Sequence, residues 1–336
     1  MSNQEVYEEI TARMIRALES GTVPWRKPWS AATGGRPRSM STREPYKGVN
    51  TFLLAVEAMD KGYTSPWWGT YNQIAERAGM ERRTNARTGH QYWVSPDGTP
   101  RGVRKGEKGT HVVLWKQGTK NEIDPQTGEK VQRKVLLARL YSVFNAEQAE
   151  GLPERYYPGK TGEPVDEIRD AQEVLDGYLA TAGPQLRHMP GDRANFNWST
   201  DVITLPERSQ FKTPEAYYAT AFHEAAHSTG HKSRLAREAG TNFSHGRKWG
   251  DPVYAREELV AEMGSAMLQA ETGMETDEQF DQSAAYVADW LGALEKDPRL
   301  VPQAAAAAQR AVDLITEPQR QAEHEDPEAE AEREAA

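Results

Sequence analysis

His223 and His227 stand four residues apart in Ala221-Phe-His-Glu-Ala-Ala-His-Ser-Thr-Gly230, with Glu224 beside the first. On an α-helix that spacing puts both imidazoles on one face, where they can share a metal ion, and leaves Glu224 leaning toward the coordination position that the protein does not fill. Two histidines and a glutamate in HExxH order suit zinc-dependent hydrolysis, in which the metal brings the pKa of water down to about 7 and a nearby carboxylate takes the proton. The string also arises by chance, so its flanks decide. Thr213 as N-cap, Pro214 at the first helical position and Gly230 beyond the end bound a helix of suitable length around the two histidines.

A catalytic zinc wants a third protein ligand and one open position. The continuation HExxHxxGxxH fails here: Gly230 fits, but the last position is Ser233, and His231 comes two residues early. The other source is a glutamate on a second helix, and residues 254–268 read as one, with Glu258 and Glu262 on a shared face. Glu258 is assigned as the ligand, and Glu262 as the outer carboxylate that accepts from the second N–H of a ligand histidine. The exchange of those two roles, and His245 as third ligand, stay open. A solvated face is the plain alternative for Glu257, Glu258 and Glu262. Leu259, Val260, Met263, Met267 and Leu268 around them argue for burial, where a carboxylate needs a partner.

The chain that must position these groups has 336 residues, enough for two domains each with its own core. It has no cysteine, which excludes disulfides and thiolate ligands and leaves only histidine and carboxylate for a metal. No apolar run reaches about 18 residues and the start is polar, so a soluble, cytoplasmic chain with no signal peptide and no membrane partner is expected. The net charge of −9 divides unevenly: residues 1–150 carry +7 and the remainder −16. The Pro/Gly-rich stretch at this boundary reads as a linker, and the Glu/Ala-rich end from Glu317 as a disordered or frayed solvating tail.

The basic half opens with an amphipathic helix carrying Val6, Ile10, Met14 and Leu18. Then comes Thr22-Val-Pro-Trp-Arg-Lys-Pro-Trp29, where Trp25 and Trp29 flank Arg26 and Lys27. Single-stranded nucleic acid is held by such a mixture, with bases stacked on rings for roughly 1–3 kcal/mol each and cations tracking phosphates. For either tryptophan, a plug under the first helix is the competing role. Arg36, Arg38, Tyr46 and Lys47 extend the candidate surface, and Trp67 and Trp68 add rings beyond what a core needs. Arg104, Lys105 and Lys108 form a basic turn, which lacks the spacing of a nucleotide-binding loop. That turn leads into an alternating strand, 110–116, which pairs with 135–144 as a hairpin across the turn at 124–128; Arg82–Gly98 reads as an inserted hairpin. In the acidic half, a helix from Val165, a short hairpin over 194–206, the metal helix and two late helices make an α+β unit whose edge strand could receive a peptide by β-augmentation; two plain sheet strands without a substrate role are the equal alternative.

The series VPWRKPW, YKGVN, GYTSPWW, VRKGEKG, YSVFN and EGLP, in this order, resembles the N-terminal domain of ArdC-type antirestriction proteins of conjugative plasmids. HEAAHSTGH, SRL, YAREELVAEMGSAML and the Ala-rich end resemble the zincin-type metallopeptidase domain that follows it, and the likeness covers about residues 5 to 315. It implies an N-terminal domain that binds single-stranded DNA, a zincin-like domain with Zn²⁺, and protection of incoming DNA from host restriction. Phage-encoded polyvalent proteins carry similar pairs, so plasmid and phage origins both fit. The Arg82–Gly98 insertion departs from the family pattern.

The expected architecture is therefore two-domain α+β: a small basic single-stranded DNA-binding domain (1–152), a linker (153–164), a zincin-like metallopeptidase domain (165–316) and the tail (317–336). A protein or peptide substrate is a further expected partner. Two other functions compete: a DNA-recruited zinc metalloprotease, and a DNA shield whose zinc is structural and which cuts no peptide. Glu224 favours catalysis without proving it.

Overall fold

The computed structural model describes residues 2–20, 22–24, 36–123, 130–157, 171–191, 193–237, 252–274 and 284–325. Helix α1 (Asn3–Glu19) starts at a capping box in which Ser2 Oγ accepts from Glu5 N and the Glu5 carboxylate accepts from Ser2 N, and it buries the stripe Val6, Ile10, Met14 and Leu18. Helix α2 (Val49–Lys61) ends at Gly62, whose φ of 70° is the left-handed cap that glycine adopts without steric cost. The main sheet of this half runs β1 (Arg38–Ser39), β2 (Trp67–Gly69), β7 (Lys130–Asn145), β6 (Thr110–Ile123). The expected hairpin is longer than the alternation alone suggests, with Thr110 opposite Val143 and Ile123 opposite Lys130; its turn at 124–128 lies outside the described residues. The inserted segment is the exposed hairpin β3 (Glu81–Thr84) with β4 (Gln91–Val94). Helix α3 (Tyr71–Arg77) and the pair β5 (Gly102–Val103) with β8 (Ala149–Glu150) complete the half.

The second half holds α4 (Ala171–Thr181) and a three-stranded sheet. Its centre is β11 (Val202–Leu205), flanked by antiparallel β10 (Asn195–Asn197) and parallel β9 (Gln185–His188). Four helices follow: α5 (Pro214–Ser228), α6 (Pro252–Glu271), α7 (Ala284–Lys296) and α8 (Leu300–Glu325). The last helix takes in the first part of the expected tail, so an acidic solvating end begins as helix.

Two expectations change. Trp68 is fully buried beside Leu54, Val112 and Val143, and Trp67 packs edge-on against Tyr156 at 5.5 Å, so this pair serves the core. Tyr156, placed in the linker by composition, is buried, with Arg77 Nε donating to its hydroxyl at 3.1 Å and Ser65 Oγ to its carbonyl at 2.7 Å.

The halves do not keep separate cores either. One apolar cluster runs from Val6, Ile10, Met14, Phe52 and Leu53 into Tyr178, Phe222, Met263, Trp290 and Val301. The seam carries polar locks as well: Thr11 Oγ1 donates to Pro298 O at 2.7 Å, and Gln309 Oε1 accepts from Gly48 N at 3.1 Å.

Candidate metal centre

Helix α5 forms where its flanks direct it. Thr213 Oγ1 accepts from Ala216 N at 3.2 Å, and Pro214 occupies the first turn. Its far end is closed by two arginines downstream. Arg234 Nε donates to Ser228 O at 2.8 Å, and Arg237 donates to Ala226 O at 2.8 Å and to Thr229 Oγ1 at 2.6 Å, satisfying groups that a helix end leaves unpaired. Gly230 is needed here for space: a Cβ there would lie 2.8 Å from the Arg237 guanidinium and from the Trp198 ring.

Helix α6 lies against α5 through small residues. Ser265 Oγ donates to Ala219 O at 2.9 Å, and a Cβ on Gly264 would sit 3.1 Å from Ala226 Cβ. This close approach brings Glu258 up to the two histidines. His223 Nε2 and His227 Nε2 are 3.1 Å apart, and the Glu258 carboxylate oxygens stand 3.7 and 3.6 Å from them. Ligand atoms at about 2.0–2.2 Å from one tetrahedral ion stand about 3.3–3.6 Å apart, so these side chains are spaced to hold one. Among the described residues they are the group able to do so, with ligand atoms all within 4.8 Å of one another.

Charge is arranged to match. Burial pulls His227 down, but Glu258 and Glu257 outweigh it and hold its pKa well above the ordinary value. Burial lowers His223 too, and it is overcome by its hydrogen bond to Glu258 and by the charges of Glu224 and Glu262. Glu258 itself, although buried, is held far below the carboxylate range by the imidazoles. Glu224, next to His223 on α5, is 7% exposed.

His227 has an outer carboxylate that the spacing does not single out. His227 Nδ1 donates to Glu257 Oε1 at 3.3 Å, and Glu257 accepts from Arg237 Nε at 2.9 Å and from its Nη2. Glu257 thus serves His227, while Glu262 acts on the other ligand histidine, His223, as a neighbouring negative charge. The reason is tertiary: Glu257 faces the loop that brings Arg237, a partner invisible in the helical pattern. Tyr254, one turn before Glu258, was also missed as a site residue. Burial raises its pKa first, followed by Glu258, to which it hydrogen-bonds, and Glu224. Its position four residues before the ligand was the available signal. Trp198, just past β10, lays its ring edge-on to His227 at 6.5 Å. His245 lies outside the described residues.

The candidate DNA contacts scatter. Trp25, Arg26, Lys27 and Trp29 lie outside the described residues. Arg36 is corrected: at 5% exposure it is buried in the seam, ion-paired with Glu271 of α6 and donating to Tyr46 O, because a guanidinium enclosed there is out of reach of a phosphate and its charge needs a partner inside the protein. Tyr46 is half-buried, and burial pushes its hydroxyl up to about 12. Arg38 is half-buried in β1, and Lys47 is exposed, 3.7 Å from Asp313. Arg104 pairs with Glu107 at 2.7 Å in the turn before β6, while Lys105 and Lys108 of that turn are exposed.

Residues 4–144 match the N-terminal domain of anti-restriction factor ArdC, and residues 173–307 match a zincin-like metallopeptidase. The crystal structure of the antirestriction protein ArdC from plasmid R388, metal-free, is 40% identical over 94% of this chain and 98% of that one, with a TM-score of 0.68. The Mn(II)-bound structure of the R388 protein gives 37%, 93%, 97% and 0.65. An uncharacterized protein, y4eC of Sinorhizobium fredii, is 33% identical over 93% of this chain and 91% of its own length. DNA primase TraC of Escherichia coli is 36% identical over 92% of this chain, yet this chain spans only 27% of that protein. None of the described helices is long and apolar enough to cross a membrane.

Proposed function

Because the chain belongs to the ArdC antirestriction family, with a zincin-like domain after its ArdC-type N-terminal domain, we propose that it binds single-stranded DNA through its basic half, holds Zn²⁺ on His223, His227 and Glu258, and protects incoming plasmid or phage DNA from host restriction. The observation that carries the metal half is the convergence of two imidazole nitrogens and one carboxylate at separations of 3.1 to 3.7 Å. A bound divalent ion would supply Lewis-acid polarisation of a carbonyl and a lowered pKa for water. The protein's own part is separate. Glu257, fixed by Arg237, sets the tautomer and orientation of His227. Glu224, buried next to His223, would serve as the base beside the ligand set, and Tyr254 would donate a hydrogen bond to Glu258. The DNA half is supported by the charge of +7 on residues 1–150; the −16 remainder repels phosphate.

Two tests follow. Elemental analysis of the purified chain should find one zinc, lost in His223→Ala, with Glu258→Ala losing more metal than Glu262→Ala. Full occupancy in His223→Ala would move the site elsewhere. The second test separates shielding from proteolysis. Glu224→Gln keeps shape and ligands while removing a base whose loss costs a proton-transfer step about 10²–10⁴-fold. It should bind single-stranded DNA with wild-type affinity and still protect it from cleavage in vitro. Normal binding with all protection lost would show that occupancy is insufficient and that hydrolysis of a protein partner is required.

A further inference from the structure

Residues opposite each other in an antiparallel pair point to the same side, and successive residues alternate. The β6–β7 register therefore divides the hairpin into two unlike faces. Val113, Trp115, Ala138 and Leu140 share one of them. Val113 and Ala138 are buried with the stripes of α1 and α2, and Trp115 lies 5.4 Å from the Tyr7 ring.

The other face starts with Val112 and Val143 buried at its foot beside Leu54 and Trp68. Beyond them it is open: Leu114 is 46% exposed, Leu137 42% and Tyr141 36%, with Lys116 opposite Leu137 and Arg139 opposite Leu114, both exposed. A Cβ on Gly118 would sit 2.7 Å from Leu137 Cδ1, so the glycine leaves room for Leu137 to lie flat across the strand pair. Neither cation is ion-paired to any described side chain. Clustered exposed apolar side chains usually mark an interaction site, and the interleaved charges choose the partner. Two cations among a ring and two aliphatic side chains suit a polyanion whose flat bases are free to lie on the surface. A duplex hides those bases and offers mainly its phosphates. The basic turn with Lys105 and Lys108 leads directly into the same strand, continuing the cationic track at its foot.

We propose that this open face is the seat of the DNA single strand, with bases lying on Tyr141, Leu114 and Leu137 while Lys116 and Arg139 take the phosphates. The proposal rests on the single-strand binding argued above and gives it a location.

The experiment uses the full chain and a labelled oligo-dT, read by fluorescence anisotropy across a salt series. Tyr141→Ala should weaken binding about five- to a hundredfold, the range for loss of one stacked base. Lys116→Ala combined with Arg139→Ala should reduce the salt slope by about 1.4, roughly 0.7 for each phosphate released. Lys134→Ala removes a cation exposed on the opposite face and should leave the slope unchanged. Photo-crosslinking to an iodouracil oligonucleotide should label a peptide containing Tyr141. If the wild type binds no single strand, the underlying reading fails and this proposal with it. If the wild type binds and both face variants bind equally well, single-strand binding stands and the location is wrong. Dissociation of a wild-type dimer by Tyr141→Ala, with DNA affinity retained, would make the face a contact between copies and overturn the proposal. Should Tyr141→Ala misfold by circular dichroism, the double cation variant against Lys134→Ala decides.

Discussion

Glu257→Ala should both weaken metal retention and lower stability. Glu257 is 4% exposed and stands between His227 Nδ1 and the Arg237 guanidinium. Its removal frees the His227 ring, and losing such an outer partner typically costs about 10–100-fold in metal affinity. It also leaves the mostly buried Arg237 without its anion, a change worth about 3 kcal/mol, at the low end because carbonyls of α5 still accept from that guanidinium. Glu257→Gln keeps an acceptor and loses only the charge, so it should recover part of the metal affinity. Metal titration with a competing chelator, paired with thermal unfolding, checks both effects. Wild-type affinity and midpoint in Glu257→Ala would remove Glu257 from the outer role.

The second large effect is expected at Arg36. Truncation to alanine leaves Glu271 without its cation in a seam where Arg36 is 5% and Glu271 18% exposed, and breaking such a pair costs about 3 kcal/mol or more. Burial already depresses the guanidinium pKa, and Glu271 only partly offsets this, so the pair is a constraint held by its surroundings. Arg36→Ala should therefore lower the thermal midpoint while its single-strand affinity, measured where the variant is folded, stays near wild type. An unchanged midpoint with reduced DNA affinity would restore Arg36 to the DNA-facing surface.

What the sequence made legible was local. His223 and His227 are fixed by helical geometry over one turn, and the flanking Thr213, Pro214 and Gly230 bound that turn within the same fifteen or so residues. The β6–β7 hairpin was legible because its alternation is strong, and it ran on where polar residues continued the pairing without the pattern. Strand β9 was not foreseen: Gln185-Leu-Arg-His188 has little strand signature, and parallel pairing to β11 holds it. Placing Glu257 beside His227 needed Arg237, and interpreting Arg36 needed Glu271, partners that a basic run or a helical stripe cannot name. The stripe of α1 announced a buried face without saying that α7 and α8 would cover part of it.

That shared core bears on how such a chain can be inherited. A cut at the charge boundary would strip Val6, Ile10 and Met14 of part of their cover and leave both fragments with bare apolar surface, so the basic and acidic halves are poor candidates for independent shuffling. A recombination event that moved only one of them would deliver a sticky, incomplete globule. The TraC relatives, several times longer, match this chain over 92% of its length, across both halves. Loss of the Thr11 hydroxyl, the Gln309 amide or the Arg36–Glu271 pair would loosen the two halves together, because each contact joins one half to the other.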